Sequence, residues 1–163
     1  MVRTIGQRQK PGKRRAKPRS PSPRAAHREP VASDQVVLVR TPGTKGRGGG
    51  HDGEAWRIEV NGKRCGTVFI NLINAPPLGL HASIQIYLNL ASQGRHIGQI
   101  AYAKAARASR YDTIYAHMQK ANIASARAAE QAGFVDTTPP EERQKVMVWH
   151  RGSDSQGGPV EET

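Results

Sequence analysis

The chain has 163 residues, of which 36% are hydrophobic and only 5% aromatic, a lean composition for a chain that folds along its whole length. Its net charge of +12 is concentrated at one end, because residues 1–50 contain 13 lysines and arginines against two acidic residues, whereas residues 51–163 contain 12 against 11. The composition predicts one near-neutral domain behind a basic leader. It argues against a membrane-spanning helix and, with Cys65 as the single cysteine, against a disulfide or a cysteine metal cluster.

Residues 1–33 are predicted to be a disordered basic tail. The charge block at residues 13–19 and the Ser-Pro repeats beside it have too little apolar surface to offset the entropy lost on ordering. The folded domain is expected over residues 34–151, and residues 152–163, which are polar and glycine-rich, are expected to form a flexible tail. Two interpretations of residues 1–30 stay open: a solvated, non-specific tail, or a weak tether to nucleic acid.

The first half of the domain is predicted to be β-sheet. Residues 35–40 are rich in β-branched side chains and form the first strand candidate. The six glycines of residues 41–53 predict a mobile loop after it. A hairpin follows, with the favoured two-residue turn Asn61-Gly62 between strands at residues 55–60 and 65–70.

The second half is predicted to alternate strands and helices. Apolar–polar alternation and β-rich composition predict strands at residues 83–90, 112–116 and 145–149. Helical periodicity and capping signals predict helices at residues 98–109 and 122–132. Strand–helix–strand units imply at least one parallel pair of strands, so the predicted fold class is α/β, with a mixed sheet flanked by helices.

The most informative segment is a glycine-bearing turn at the start of the first of these helices. Its sequence is Gln93-Gly94-Arg95-His96-Ile97-Gly98. The first N–H groups of a helix have no partner within the helix, and together with the helix dipole they bind phosphate. The turn therefore predicts an anion site, with a simple helix-capping region as the alternative interpretation.

Residues 56–151 resemble the GNAT superfamily of acyl-CoA N-acyltransferases. The phosphate signature of that family is Gln/Arg-x-x-Gly-x-Gly/Ala. Gln93 and Gly98 occupy its two ends, and His96 stands where the first glycine usually lies. Histidine is among the residues that tolerate the left-handed backbone geometry that glycine adopts easily, so the departure is compatible with the turn.

A second matching element lies downstream, where Asn122-x-x-Ser125 and residues 128–134 resemble the family's second cofactor helix. The resemblance implies a GNAT-like fold with acetyl-CoA as the acyl donor. Strand backbone before the turn would bind the pantetheine amides, and an N–H group near Leu88 would polarise the thioester carbonyl. The cofactor-binding residues implied in this way are Leu88, Leu90, Gln93, Gly94, Arg95 (as a charged contact), His96, Ile97, Gly98, Asn122 and Ser125.

The catalytic groups follow less directly from the resemblance. Many family members carry a tyrosine seven residues after the asparagine as the general acid, and the matching position here is Ala129. Ser125 is the candidate for a hydrogen bond to the leaving thiolate, with a small packing residue as the alternative. His117, expected to close the short strand where the sheet splays, is the candidate general base, directly or through water. A structural histidine is the alternative there.

The predicted function is transfer of an acetyl group to an amine by direct attack, in a cytoplasmic protein without a metal. Full GNAT domains place two helices between their first and second strands, and residues 41–53 leave no room for them. An open acceptor groove is therefore expected, which suits a protein acceptor or a wall completed by a second copy in a homodimer. Two alternatives remain. One is a degenerate acyl-CoA-binding module tethered to nucleic acid; the other is an RNA-binding protein without a cofactor, which the near-neutral residues 51–163 disfavour.

Overall fold

The computed structural model of the chain describes residues 28–153. The predictions for residues 1–27 and 154–163, which make up most of the two tails, lie outside the described residues. Two helices and seven strands are found between them: β1 (Val36–Thr41), β2 (Glu54–Val60), β3 (Lys63–Ala75), β4 (Gly79–Leu88), α1 (Ile97–Ala108), β5 (Thr113–Gln119), α2 (Ile123–Gln131), β6 (Val135–Asp136) and β7 (Gln144–His150).

All seven strands belong to one sheet, in the order β1-β2-β3-β4-β5-β7-β6. Only β4 and β5 run parallel, and every other neighbouring pair is antiparallel. The predicted hairpin is confirmed, because Asn61 and Gly62 take φ values of 50° and 75° between β2 and β3. The predicted mixed α/β sheet is thus the fold of this chain. No helix among residues 28–153 has the length and apolar character to cross a bilayer.

Several strand boundaries differ from the prediction: β3 extends to Ala75, β4 begins at Gly79 instead of Ser83, and the ends of β4 and β5 differ for identifiable reasons. β4 ends at Leu88 because the side chain of Asn89 accepts a hydrogen bond from the Ser92 N–H group at 2.9 Å and starts a 3-10 helix over Leu90–Ser92. The expectation that Leu90 belongs to the strand is therefore wrong. β5 continues to Gln119 because it pairs with β7 along its whole length, so His117 lies inside the strand and does not close it.

Both helices pack on the same face of the sheet. Four isoleucines on neighbouring strands are almost completely buried, and each contributes about 1.5–3 kcal/mol relative to an exposed position; they are Ile58, Ile70, Ile84 and Ile114. The residues that α1 buries are Ile97, Ala101, Tyr102, Ala105 and Ala106. Ile100 is half-buried and Ala108 is exposed, because Tyr102 and Ala106 occupy the buried side of the helix.

No helix lies between β1 and β2, in agreement with the sequence. The loop in that position is tied to β3 by the amide side chain of Asn71. Asn71 donates to the Gly46 carbonyl and accepts from the Gly48 N–H group, each at 2.8 Å. Gly48 has a φ of 74°, and an added Cβ would lie 2.2 Å from the Glu54 carbonyl oxygen, so only glycine fits at this contact. The loop that its glycines predicted to be mobile is thus anchored over the sheet by this amide.

The chain before β1 packs against the turn that precedes α1. Val31 is buried, and its N–H group donates to the Arg95 carbonyl at 3.0 Å. Lys104 on α1 donates from Nζ to the carbonyls of Ser33 and Val36 at 2.7 and 2.6 Å. Some of these contacts involve residues before position 34, the predicted start of the folded domain.

Candidate active site

The turn before α1 has the backbone geometry that an anion site requires. His96 takes a left-handed conformation, with φ 63° and ψ 9°, and Gly94 has a φ of 73°. His96 therefore adopts the geometry that glycine would supply at this position of the signature. Its side chain makes no capping hydrogen bond. The N–H groups of Ile97, Gly98 and Gln99 have no acceptor within the helix and can meet a ligand.

A cleft of about 850 Å³ opens beside this turn, between β4, α1 and α2. That volume is in the range of ligand-binding sites, and its lining mixes aliphatic, hydroxyl and amide groups. Eight of the predicted cofactor residues line it together: Leu88, Gln93, Gly94, His96, Ile97, Gly98, Asn122 and Ser125.

Two predicted cofactor residues, Leu90 and Arg95, do not line the cleft. The Leu90 carbonyl accepts a hydrogen bond from the guanidinium of Arg28, and the Leu90 side chain is exposed. The Arg95 side chain donates from Nε to the Glu29 carbonyl at 3.3 Å. A charged contact from Arg95 to a ligand would therefore require its guanidinium to leave this carbonyl.

Gly98 faces the cleft on the first turn of α1. An added Cβ would lie 3.6 Å from the Ala128 methyl group of α2 and 3.7 Å from Leu88 Cδ1 of β4, which are ordinary van der Waals distances. The helix backbone therefore does not require glycine here. A side chain larger than a methyl group would project into the space between β4 and α2 that a ligand would occupy.

The sheet splays beside the cleft. β4 and β5 pair only from Ala82↔Ile114 to Ile84↔Ala116, although β4 continues to Leu88. The Asn89 N–H group donates to the Cys65 carbonyl of β3 at 2.9 Å. Since successive N–H groups of a strand point to opposite sides, the Leu88 N–H group points away from β3 into the gap. This orientation fits the predicted contact with a thioester carbonyl.

The start of α2 presents polar groups to the same cleft. Asn122 is the N-cap, and its Oδ1 accepts a hydrogen bond from the Ser125 N–H group at 3.1 Å. Ser125 Oγ lies 3.2 Å from the hydroxyl of Tyr102, which reaches across from α1. Burial raises the pKa of Tyr102, and the hydrogen bond with Ser125 opposes that shift. Tyr102 therefore stays protonated near neutral pH and can donate to Ser125.

Ala129, at the position of the family's tyrosine, is fully buried in the core. A tyrosine ring at this position could not be accommodated without displacing the packing between α2 and the sheet. Sequence reasoning missed Tyr102, which stands four residues after Gly98 and therefore on the same side of α1. The spacing was a usable signal, but only the packing of α1 against α2 brings the hydroxyl to Ser125.

His117 lies on the other face of the sheet, at the point where β4 and β5 separate. It contributes to a cavity of about 310 Å³ together with Ser83, Gln85 and Glu142. Burial lowers the pKa of His117, the neighbouring His81 lowers it further, and Glu142 raises it. The imidazole is therefore mainly neutral at pH 7 and able to accept a proton. No cluster of three or more potential metal ligands is found among residues 28–153.

Neither protein-family models nor curated protein sequences match this chain, but solved structures do. The aminoglycoside acetyltransferase AAC(6')-Ib, in complex with paromomycin and acetyl-CoA, superposes with a TM-score of 0.54 at 16% identity, over 67% of this chain and 71% of that one. The GNAT domain of S. lividans PAT superposes with a TM-score of 0.51 at 18% identity, over 63% of this chain and 65% of that one. This chain has the GNAT fold. PseH of Campylobacter jejuni, in complex with acetyl coenzyme A, superposes with a TM-score of 0.50 at 13% identity, over 63% of this chain and 70% of that one.

These similarities confirm the resemblance that the sequence predicted. The aligned part of the chain spans about two thirds of each of these neighbours, 65–71% of their length, at identities of 13–18%. Similarity at this level shows the fold, and the activity has to be argued from the site itself.

Proposed function

We propose that this protein is an acyl-CoA-dependent N-acyltransferase that moves an acetyl group from acetyl-CoA to an amine. The observation that carries the proposal is the cleft at the start of α1. Free N–H groups, a left-handed His96 in the glycine position and the hydroxyl of Ser125 line one continuous space there. Two of the similar GNAT-fold structures contain acetyl-CoA, which supports acetyl-CoA as the donor.

The chain offers a partner for each part of acetyl-CoA. The N–H groups of Ile97, Gly98 and Gln99 suit the diphosphate, since backbone donors at a helix N-terminus can bind phosphate without the help of a charged side chain. The edge of β4 that β5 leaves free suits the amides of the pantetheine arm. The N–H group of Leu88 suits the thioester carbonyl, where it would stabilise the negative charge that develops during attack.

The reaction proceeds by direct attack. The ammonium of the acceptor first loses a proton to His117, and the free amine then attacks the thioester carbonyl, so that a C–N bond forms and the C–S bond breaks. The hydroxyl of Ser125 donates a hydrogen bond to the departing thiolate, and Tyr102 donates to Ser125 in turn. As the amide forms, its nitrogen loses a second proton, and the departing thiolate takes up that proton to become the thiol.

A second candidate is a module that binds acyl-CoA without turning it over. The burial of Ala129 favours it, because the usual tyrosine acid cannot act from that position. The two candidates share the cofactor site and differ in the fate of the thioester. Binding of acetyl-CoA without release of thiol in the presence of amines would select this candidate.

The proposal is tested by calorimetric titration of the full chain with acetyl-CoA, followed by a thiol-release assay over a panel of amines and amine-bearing peptides. Gly98→Leu should weaken binding at least about tenfold, equivalent to about 1.4 kcal/mol, because its side chain enters the cleft. Ala108→Leu is the matched control, since Ala108 is exposed at the far end of the same helix. Absence of binding at millimolar acetyl-CoA, or equal binding by both variants, would contradict the proposal.

A further inference from the structure

Two histidines from neighbouring parallel strands meet at the splay of the sheet. His81 of β4 and His117 of β5 place their Nε2 atoms 3.0 Å apart, a hydrogen-bond distance that requires one proton between the two nitrogens. His81 is buried and His117 is half-buried. The proposed reaction uses only His117 of this pair, and it leaves the buried His81 without an assigned role.

The hydrogen bonds of His81 decide which nitrogen carries each proton. Its Nδ1 lies 2.7 Å from the Gly79 carbonyl oxygen, which can only accept, so Nδ1 of His81 carries a proton. In a neutral ring the Nε2 atom of His81 is then bare and accepts. Nε2 of His117 must therefore carry the proton of the 3.0 Å contact. With both rings neutral, the proton of His117 is fixed on Nε2 and its lone pair on Nδ1.

The lone pair of His117 is the one open proton-accepting position of the pair. Among residues 28–153 every buried side-chain nitrogen or oxygen atom has a hydrogen-bond partner. Nδ1 of His117 has no hydrogen-bond partner within this described part of the chain and is therefore accessible there. The groups around the ring are the tilted ring of His81 from β4, the ring of Tyr115 from β5, and the carboxylate of Glu142 from the segment before β7.

We propose that His81 is a positioning residue that holds His117 in the Nε2–H tautomer and directs Nδ1 toward the acceptor amine. This inference rests on the proposed function. In the reaction, an N–H bond of the acceptor ammonium breaks, its proton binds Nδ1 of His117, and the electron pair stays on the amine that attacks the thioester. The imidazolium keeps its Nε2–H bond to His81, so positive charge forms without loss of that contact.

The geometry of the pair can be tested without any acceptor. Long-range proton–nitrogen correlation spectra of the ¹⁵N-labelled full chain at pH 8 distinguish the protonated from the bare ring nitrogen of each histidine. We expect the Nδ1–H form of His81, which free imidazole side chains adopt less often, and the Nε2–H form of His117. A proton on Nδ1 of His117, or on Nε2 of His81, would overturn the assignment.

The role in the reaction is tested with two substitutions of His81. His81→Leu removes the acceptor and should lower kcat about tenfold at unchanged KM for acetyl-CoA, because the cofactor cleft lies on the other face of the sheet. His81→Gln should restore most of the loss, since its amide oxygen can accept from His117. His150→Leu, an exposed histidine on β7, is the control and should leave kcat unchanged.

The outcomes separate this inference from the function on which it rests. If His81→Leu turns over like the unaltered protein, or if His81→Gln is as slow as His81→Leu while both remain folded, His81 has no positioning role. If the chain acylates no amine at all, the proposed function is wrong. In that case the spectra at pH 8 still decide the pair, since a proton on Nε2 of His117 facing a bare Nε2 of His81 supports the assignment and the reverse arrangement overturns it.

Discussion

The hydroxyl of Tyr102 provides the sharpest test of the catalytic side of the cleft. It lies 3.2 Å from Ser125 Oγ, and Tyr102 itself is only 5% exposed. Tyr102→Phe removes the hydroxyl but keeps the ring, whose packing against Phe134 at a centroid distance of 5.6 Å should survive. Loss of one buried hydrogen bond should cost about 0.5–1.5 kcal/mol of folding free energy.

The effect on turnover follows from the order of the hydrogen bonds. Without Tyr102, the Ser125 hydroxyl is free to rotate and is no longer polarised toward the thiolate. We expect kcat to fall about tenfold, which corresponds to about 1.4 kcal/mol. The Kd for acetyl-CoA should stay within about twofold, because the diphosphate donors at the start of α1 are unchanged.

The assay is thiol release at saturating acetyl-CoA, with calorimetric Kd values for each variant. Ser125→Ala should lower kcat by a similar factor, and the double variant should be hardly slower than either single one, because both substitutions break the same interaction. Additive losses would show that the two hydroxyls act independently. Unchanged kcat in Tyr102→Phe would refute the reasoning.

Three further predictions concern stability, pH and the glycine loop. Glu54→Ala should lower the free energy of unfolding, measured by urea titration, by about 1.5–3 kcal/mol. The reason is that this buried carboxylate accepts hydrogen bonds from Ser109 Oγ and from the Arg110 N–H group. The control Glu59→Ala breaks a more exposed ion pair on the same strand and should lower the same free energy by less than about 1 kcal/mol. The second-order rate constant kcat/KM should fall on acidification with a midpoint below pH 6.5, because the pKa of His117 is lowered from its ordinary value and the protonated ring cannot accept a proton. His117→Gln should abolish this loss. Asn71→Ala should speed tryptic cleavage of the loop between β1 and β2, and equal cleavage rates would show that the amide does not anchor it.

Sequence reasoning succeeded where the signal is local. Asn61-Gly62 defines its own turn, Asn122 caps its own helix, and the run from Gln93 to Gly98 carries the backbone requirements of the anion site within six residues. For this reason eight of the predicted cofactor residues line one cleft although no single sequence stretch contains them all. The missing helices between β1 and β2 could also be read directly from the composition of residues 41–53.

It failed where the deciding contact comes from far along the chain. The end of β4 is an exception, because the deciding hydrogen bond joins Asn89 to Ser92, only three residues away, and alternation of side chains alone carried the predicted strand on to Leu90. β6 has only two residues and forms because β7 offers it an edge. The pairing of His81 with His117 depends on the register of two parallel strands separated by a helix, which no local pattern specifies.

The central claim is that main-chain N–H groups at the start of α1 bind the diphosphate of acetyl-CoA. Amide chemical-shift mapping of the full chain during titration with acetyl-CoA, and separately with S-acetylpantetheine, which lacks the diphosphate, tests it most directly. We expect large shifts at Ile97, Gly98 and Gln99 with acetyl-CoA. With S-acetylpantetheine we expect small shifts there and much weaker binding. Equal affinity for the two compounds, or shifts confined to residues outside the cleft, would contradict it.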